Sequence, residues 1–183
     1  GNNRILRYPK PFSQTSEILI TDLVIGQQFV SVGVSANRGA SSPTAKTLSL
    51  GSSGNANRNG LAFDGQGNLW ASDPGNHRVL RYPPSQLTPN KTDPEADLVL
   101  GQNDFVTGTL RPATQAEPAL TNKSTLTNPS GIAFDQAGRL YVCEGSPRVS
   151  VWTPPFRQGG QATRLLGIIV AVQGQPVPTL NAT

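Results

Sequence analysis

His77 is the only histidine and Cys143 the only cysteine among 183 residues. One imidazole cannot assemble a multi-histidine zinc site, and one thiol closes neither an intrachain disulfide nor a cysteine-based metal site. Nucleophilic catalysis of the Ser-His-Asp kind would need His77 beside a nucleophile, and the chain contains no G-x-S-x-G elbow. Set in a turn, His77 reads as a surface residue, with a ligand contact as the alternative. Cys143 reads as a core or strand-surface thiol.

The remaining chemistry is carried by carboxylates and guanidinium groups that recur. Asp64 and Asp73 have counterparts in Asp135 and Glu144, at equivalent turn positions. Recurrence at equivalent turns points to carboxylates that accept backbone N–H bonds. The other acids, including three in "PNKTDPEAD", show no ligand spacing of the EF-hand kind, so the sequence implies no metal and no cofactor. Arg4, Arg78 and Arg148 share one repeat position. Arg7 and Arg81 share another, where the third copy has Val151. Structurally, each arginine would bond an acid of a nearby turn or stack on an aromatic ring. Functionally, Arg4, Arg7, Arg78, Arg81, Arg148 and His77 are the candidate contacts to a ligand or to nucleic acid, with Tyr8, Tyr82 and Trp152 as possible stacking platforms.

These positions are set by an internal repeat. "GLAFDGQGNLWASDPGNHRVLRYPP" from Gly60 to Pro84 returns as "GIAFDQAGRLYVCEGSPRVSVWTPP" from Gly131 to Pro155. "GNNRILRYPKP" from Gly1 matches "GNHRVLRYPPS" from Gly75, and "DLVLGQNDF" from Asp97 matches "DLVIGQQF" from Asp22. Each full copy holds four short apolar runs. In the middle copy they are 61–63, 69–71, 78–82 and 97–100; in the last they are 132–134, 140–142, 149–152 and 165–169. Turn chemistry separates them, with Asp64-Gly65 and Asp73-Pro74-Gly75-Asn76 as hairpin signals. The last copy is one residue shorter at Ser146-Pro147, so its second hairpin turn must differ. Within 78–82, Val79 and Arg81 share one face while Arg78, Leu80 and Tyr82 share the other. Such a meander is apolar on both faces and requires neighbours on both, which predicts an all-β fold of stacked four-stranded antiparallel blades, a β-propeller. A β-sandwich with similar hairpins is the alternative.

The pattern GxAFDxxGxLxxxDxxNxRVxxY resembles the NHL repeat of β-propellers. The middle copy carries it in Gly60, Ala62, Asp64, Gly67, Leu69, Asp73, Asn76, Arg78, Val79 and Tyr82. The last carries it in Gly131, Ala133, Asp135, Gly138, Leu140, Glu144, Arg148, Val149 and Trp152. The resemblance implies an NHL-type propeller segment over 1–183 of a bacterial kind. It divides into a half blade over 1–29 and full blades over 60–106 and 131–170, with 31–58 and 107–127 as long loop insertions. Gly60 and Gly131 lie 71 residues apart, beyond the roughly 40–50 expected of one blade. Two and a half blades do not close a ring, which takes about four. The chain is then a fragment, or two copies close the ring as a homodimer, or the linking segments "FVSVGVSA", "KTLSLGS" and "VAVQGQ" supply further strands.

Composition bounds the function. The chain has 19 Gly and 16 Pro, no Met, 15 Lys and Arg against 11 Asp and Glu, and a net charge of +4. No apolar run is long enough for a membrane helix. The basic residues are dispersed and form no block. Formal glycosylation sequons stand at Asn90, Asn122 and Asn181 and mark exposed loops unless the chain is secreted by a eukaryote. The sequence favours a non-catalytic, extracytoplasmic interaction module that binds protein or glycan through its long loops. A metal-assisted propeller lyase or hydrolase with its site in the central channel is one alternative. Binding of nucleic acid through a basic face is the other, and it would weaken steeply with salt.

Overall fold

Three antiparallel sheets carry the repeat, in a computed structural model that describes residues 2–31, 35–51, 59–110 and 122–167. The first sheet has two strands, β1 (Ile5–Arg7) and β2 (Leu23–Ile25). The second is a meander of β3 (Leu61–Phe63), β4 (Leu69–Asp73), β5 (Arg78–Tyr82) and β6 (Leu98–Leu100). The third repeats it with β7 (Ile132–Phe134), β8 (Leu140–Cys143), β9 (Val149–Trp152) and β10 (Arg164–Leu166). Except at the end of β10, each strand coincides with an apolar run of the sequence to within about two residues, because each run is cut off by turn residues whose backbone cannot continue a ladder. Ile168 and Ile169, at the end of the last run, lie outside the described residues, as does "VAVQGQ". The described residues of "FVSVGVSA" form no strand. In "KTLSLGS", Thr47 makes a single parallel bridge to Gly26.

Register fixes the faces. Leu69 pairs with Tyr82, Ala71 with Leu80 and Asp73 with Arg78, so these six side chains share one face of the second sheet. Trp70, Val79, Leu98 and Leu100 occupy the other face. Both faces are buried. The first packs with Leu23 and Ile25 of the first sheet, with Leu48 between them. The second packs with Leu140, Val142 and Trp152 of the third sheet, with Leu126 between them. Trp70 lies edge-on to Phe156 at 4.8 Å and to Phe134 at 5.7 Å, offset geometries that aromatic quadrupoles favour. Among the described residues no helix is long and apolar enough to cross a membrane.

The connections that enter the second and third sheets are also repeated. Leu48 and Leu126 are fully buried on segments that form no strand. Leu48 seats on Gly26 and Leu126 on Gly101, two positive-φ residues whose added Cβ would stand 2.7 Å from a leucine Cδ1. Only glycine leaves room for the plug and holds that backbone without strain.

Candidate functional site

Where each plug enters, the repeat buries a charged pair. β4 ends on Asp73, a tight turn spans Pro74–Asn76, and β5 begins on Arg78. Both side chains are fully buried, with Arg78 Nε donating to Asp73 Oδ2 at 2.7 Å. The other guanidinium donors reach backbone carbonyls of the connections that enter and leave the sheet. Nη2 donates to the carbonyls of Thr44 and Thr47, both at 2.9 Å, and Nη1 to that of Phe105 at 2.7 Å. Asp73 accepts the Ser49 backbone N–H at 2.6 Å and the Asn76 amide at 2.8 Å. Asn76 and Asn37 exchange side-chain amide bonds of 2.9 Å.

The third sheet rebuilds this node with different parts. Arg148 Nε donates to Glu144 Oε1 at 2.9 Å and Nη2 to Oε2 at 3.1 Å. Its donors reach the carbonyls of Asn122 and Thr125, at 3.0 and 2.9 Å. Glu144 accepts the Thr127 N–H at 2.8 Å, as Asp73 accepts that of Ser49. The turn here is one residue shorter, and glutamate, one methylene longer than aspartate, spans the pair. A buried ion pair of this kind carries a desolvation cost that full hydrogen bonding offsets. The node therefore clamps the incoming connection to the sheet, with the guanidinium groups of Arg78 and Arg148 directed inward.

His77 follows the same logic. It holds a left-handed φ of 54°, and its Nδ1 accepts the Asn128 backbone N–H at 3.2 Å. Asn3 occupies the matching place before β1, with φ 46°, and its Oδ1 accepts the Leu50 N–H at 2.7 Å. Burial lowers the His77 pKa against the opposing charge of Asp73, so the imidazole stays neutral and able to accept. Arg4 sits half-buried just before β1.

Arg7 and Arg81 lie toward the opposite ends of their strands. Arg7 holds both oxygens of Asp22 at 2.7 Å, and Arg81 those of Asp97 at 2.8 and 2.9 Å. The bond from Arg7 keeps the Asp22 carboxyl below its ordinary range. Arg81 also lies 5.7 Å from the Trp70 ring. In the third sheet Val151 replaces the arginine and Thr163 replaces the aspartate, its N–H and hydroxyl both bonding the Val151 carbonyl. The structure thus distributes Arg4, Arg7, Arg78, Arg81, Arg148 and His77 over three sheets and both strand ends. It does not gather them into one patch.

Asp64 and Asp135 close the first hairpin turns. Asp64 accepts the N–H groups of Gln66 and Asn68 and the Trp70 indole; Asp135 accepts those of Ala137 and Arg139 and the Tyr141 hydroxyl. For Asp64, burial acts upward, but these bonds prevail and its pKa falls. Among the described residues no three of His, Cys, Asp and Glu gather as a metal site. Cys143 is exposed. Asn122 of the second sequon is buried, its side chain accepting the Ser124 N–H, while Asn90 is exposed and Asn181 lies outside the described residues.

Sequence reasoning missed one surface. The connection from Tyr8 to Asp22 is tied internally by Gln14, whose amide donates to the carbonyls of Pro9 and Ile20 and accepts the Ile20 N–H at 2.8 Å. That bracing leaves Phe12, Ile18 and Ile20 exposed at 104, 79 and 68%. A groove of about 520 Å³, lined by Asp64, Gln66, Arg81, Pro155 and Phe156 among others, opens between the turns and loops at the same ends of the second and third sheets. The only sequence signal was an apolar triplet, Ile18-Leu19-Ile20, in a segment flanked by turn residues. No protein-family model matches the chain, and no curated protein matches it.

Proposed function

We propose that this chain is a segment of an NHL-type β-propeller that acts as a non-catalytic interaction module, binding protein or glycan through loops at one end of its sheets. The braced 8–22 connection carries the reading. Isolated apolar residues are ordinary on a surface, but three large ones held outward by an internally bonded loop form a contact surface. Apolar side chains of this size favour a protein surface over a sugar. The repeated carboxylates support the reading, since they serve turns and arginines. The extracytoplasmic, bacterial setting belongs to the same proposal.

A photo-crosslinking residue at position 18, in cells that make the protein, tests it. The expected result is a discrete adduct from position 18 that the Phe12→Ser/Ile20→Ser variant loses, with none from position 143. Equal adducts from both positions would overturn the proposal. So would retention on heparin that falls steeply with salt, which identifies nucleic-acid binding, or a stoichiometric bound metal accompanied by turnover, which identifies the lyase or hydrolase.

A further inference from the structure

Where the second and third sheets meet, at the ends away from the buried nodes, their turns frame the groove of about 520 Å³. Its apolar wall is Pro154, Pro155 and Phe156. The Phe156 ring is fixed edge-on to Trp70 at 4.8 Å and to Phe134 at 6.2 Å. Its polar wall is Asp64, Gln66 and Arg81. Asp64 already accepts four hydrogen bonds, two on each oxygen. Arg81 commits Nε and Nη2 to Asp97, while its Nη1 meets no acceptor among the described residues. The Gln66 side-chain amide likewise donates to none of them.

The filled and open positions define a ligand. The lining side chains offer donors, Arg81 Nη1 and the Gln66 amide, and their one carboxylate is saturated. Asp97 neutralises Arg81 and Asp64 adds a second negative charge, which disfavours an anion. The fitting ligand is an uncharged hydrogen-bond acceptor with apolar surface. The groove also lies at the far end from where the chain leaves the described residues. Ser35, Leu50, Gly60, Thr109, Asn122 and Gly167, which border the undescribed stretches, all bond or pack against residues at the node ends of the sheets.

We propose that this groove binds a proline-rich segment of another polypeptide in the polyproline II conformation. Such a segment lacks the N–H at each proline, keeps its carbonyls free of internal bonds, and arrives with little order left to lose. Its carbonyls take the Arg81 and Gln66 donors, and its rings lie against Pro154, Pro155 and Phe156. A sugar brings donors as well as acceptors, and its hydroxyl donors would face a carboxylate that is already filled. The wall is set before binding, Phe156 by its aromatic partners and Arg81 by Asp97 and the Trp70 ring, which lowers the ordering cost. This site is separate from the 8–22 connection, and either proposal can fail without the other.

The test titrates the full chain with an oligoproline peptide of about eight residues, which spans about 25 Å in this conformation, followed by calorimetry and by NMR shifts. The expected result is a one-to-one complex that perturbs Gln66, Arg81 and Phe156. Arg81→Val/Asp97→Thr, which copies the third sheet and keeps the fold, should weaken binding about tenfold, and so should Gln66→Glu. The Phe12→Ser/Ile20→Ser variant should bind the peptide as the wild type does, which separates this groove from the 8–22 surface. Absence of binding, equal binding of a Gly-Ser peptide of the same length, tighter binding of an acidic peptide, or shifts confined to the 8–22 connection would each overturn the proposal.

Discussion

The second and third sheets build the same buried node from different residues. One uses Asp73 across a longer turn, the other Glu144 across a turn one residue shorter, and the Nε–carboxylate distances are 2.7 and 2.9 Å. In both, the arginine donates to two carbonyls of the incoming connection and the carboxylate accepts one of its N–H groups. What the repeat preserves is therefore the clamp on that connection, with residue identity and turn length adjusting to each other. The connections belong to the core as much as the strands do.

Removing the cation should do most to break the comparison. Arg78→Met and Arg148→Met each leave a buried carboxylate unpaired and should cost about 3–5 kcal/mol by urea denaturation. The losses should be similar if the nodes are equivalent. Leu48→Ala and Leu126→Ala each empty a plug position and should cost about 2–5 kcal/mol. Exchanging the acids sharpens the point. Glu144→Asp should cost about 1.5–3 kcal/mol through lost charged hydrogen bonds, since the short turn needs the longer side chain.

His77→Ala should cost about 1 kcal/mol, and His77→Asn less, because Asn3 already performs this task. The pH dependence has a definite sign. The folded pKa of His77 lies below the unfolded value near about 6.5, so the unfolded state binds more protons in that window. Its contribution is present above about pH 6.5 and is lost as pH falls through the folded pKa. The wild type should therefore lose stability on acidification relative to His77→Asn, measured by thermal melts from pH 7.5 to 5. The smallest effect is expected from Arg81→Val/Asp97→Thr, which copies Val151 and Thr163. This partly exposed pair should change stability by no more than about 1 kcal/mol.

The strands were legible because their apolar runs alternate and end at Gly, Pro, Asn and Asp. The recurring arginines were legible as positions, and their pairing with nearby turn acids was foreseen. Their reach to carbonyls of 44–47 and 122–125 was not. Those contacts join residues some 23 to 34 apart, through segments with neither period two nor any strand. The plugs left only a faint trace, Thr47-Leu48-Ser49 against Thr125-Leu126-Thr127, inside stretches that read as loop insertions. The braced 8–22 connection was illegible because one glutamine side chain, Gln14, organises it.

Native-state hydrogen exchange at the Ser49 and Thr127 amides tests the clamp most directly. Both are donors to buried carboxylates on segments outside any strand. Protection comparable to the amides of β5 and β9, lost at Ser49 in Arg78→Met and at Thr127 in Arg148→Met, is the predicted result. Exchange at the rate of exposed loops in the wild-type protein would contradict it.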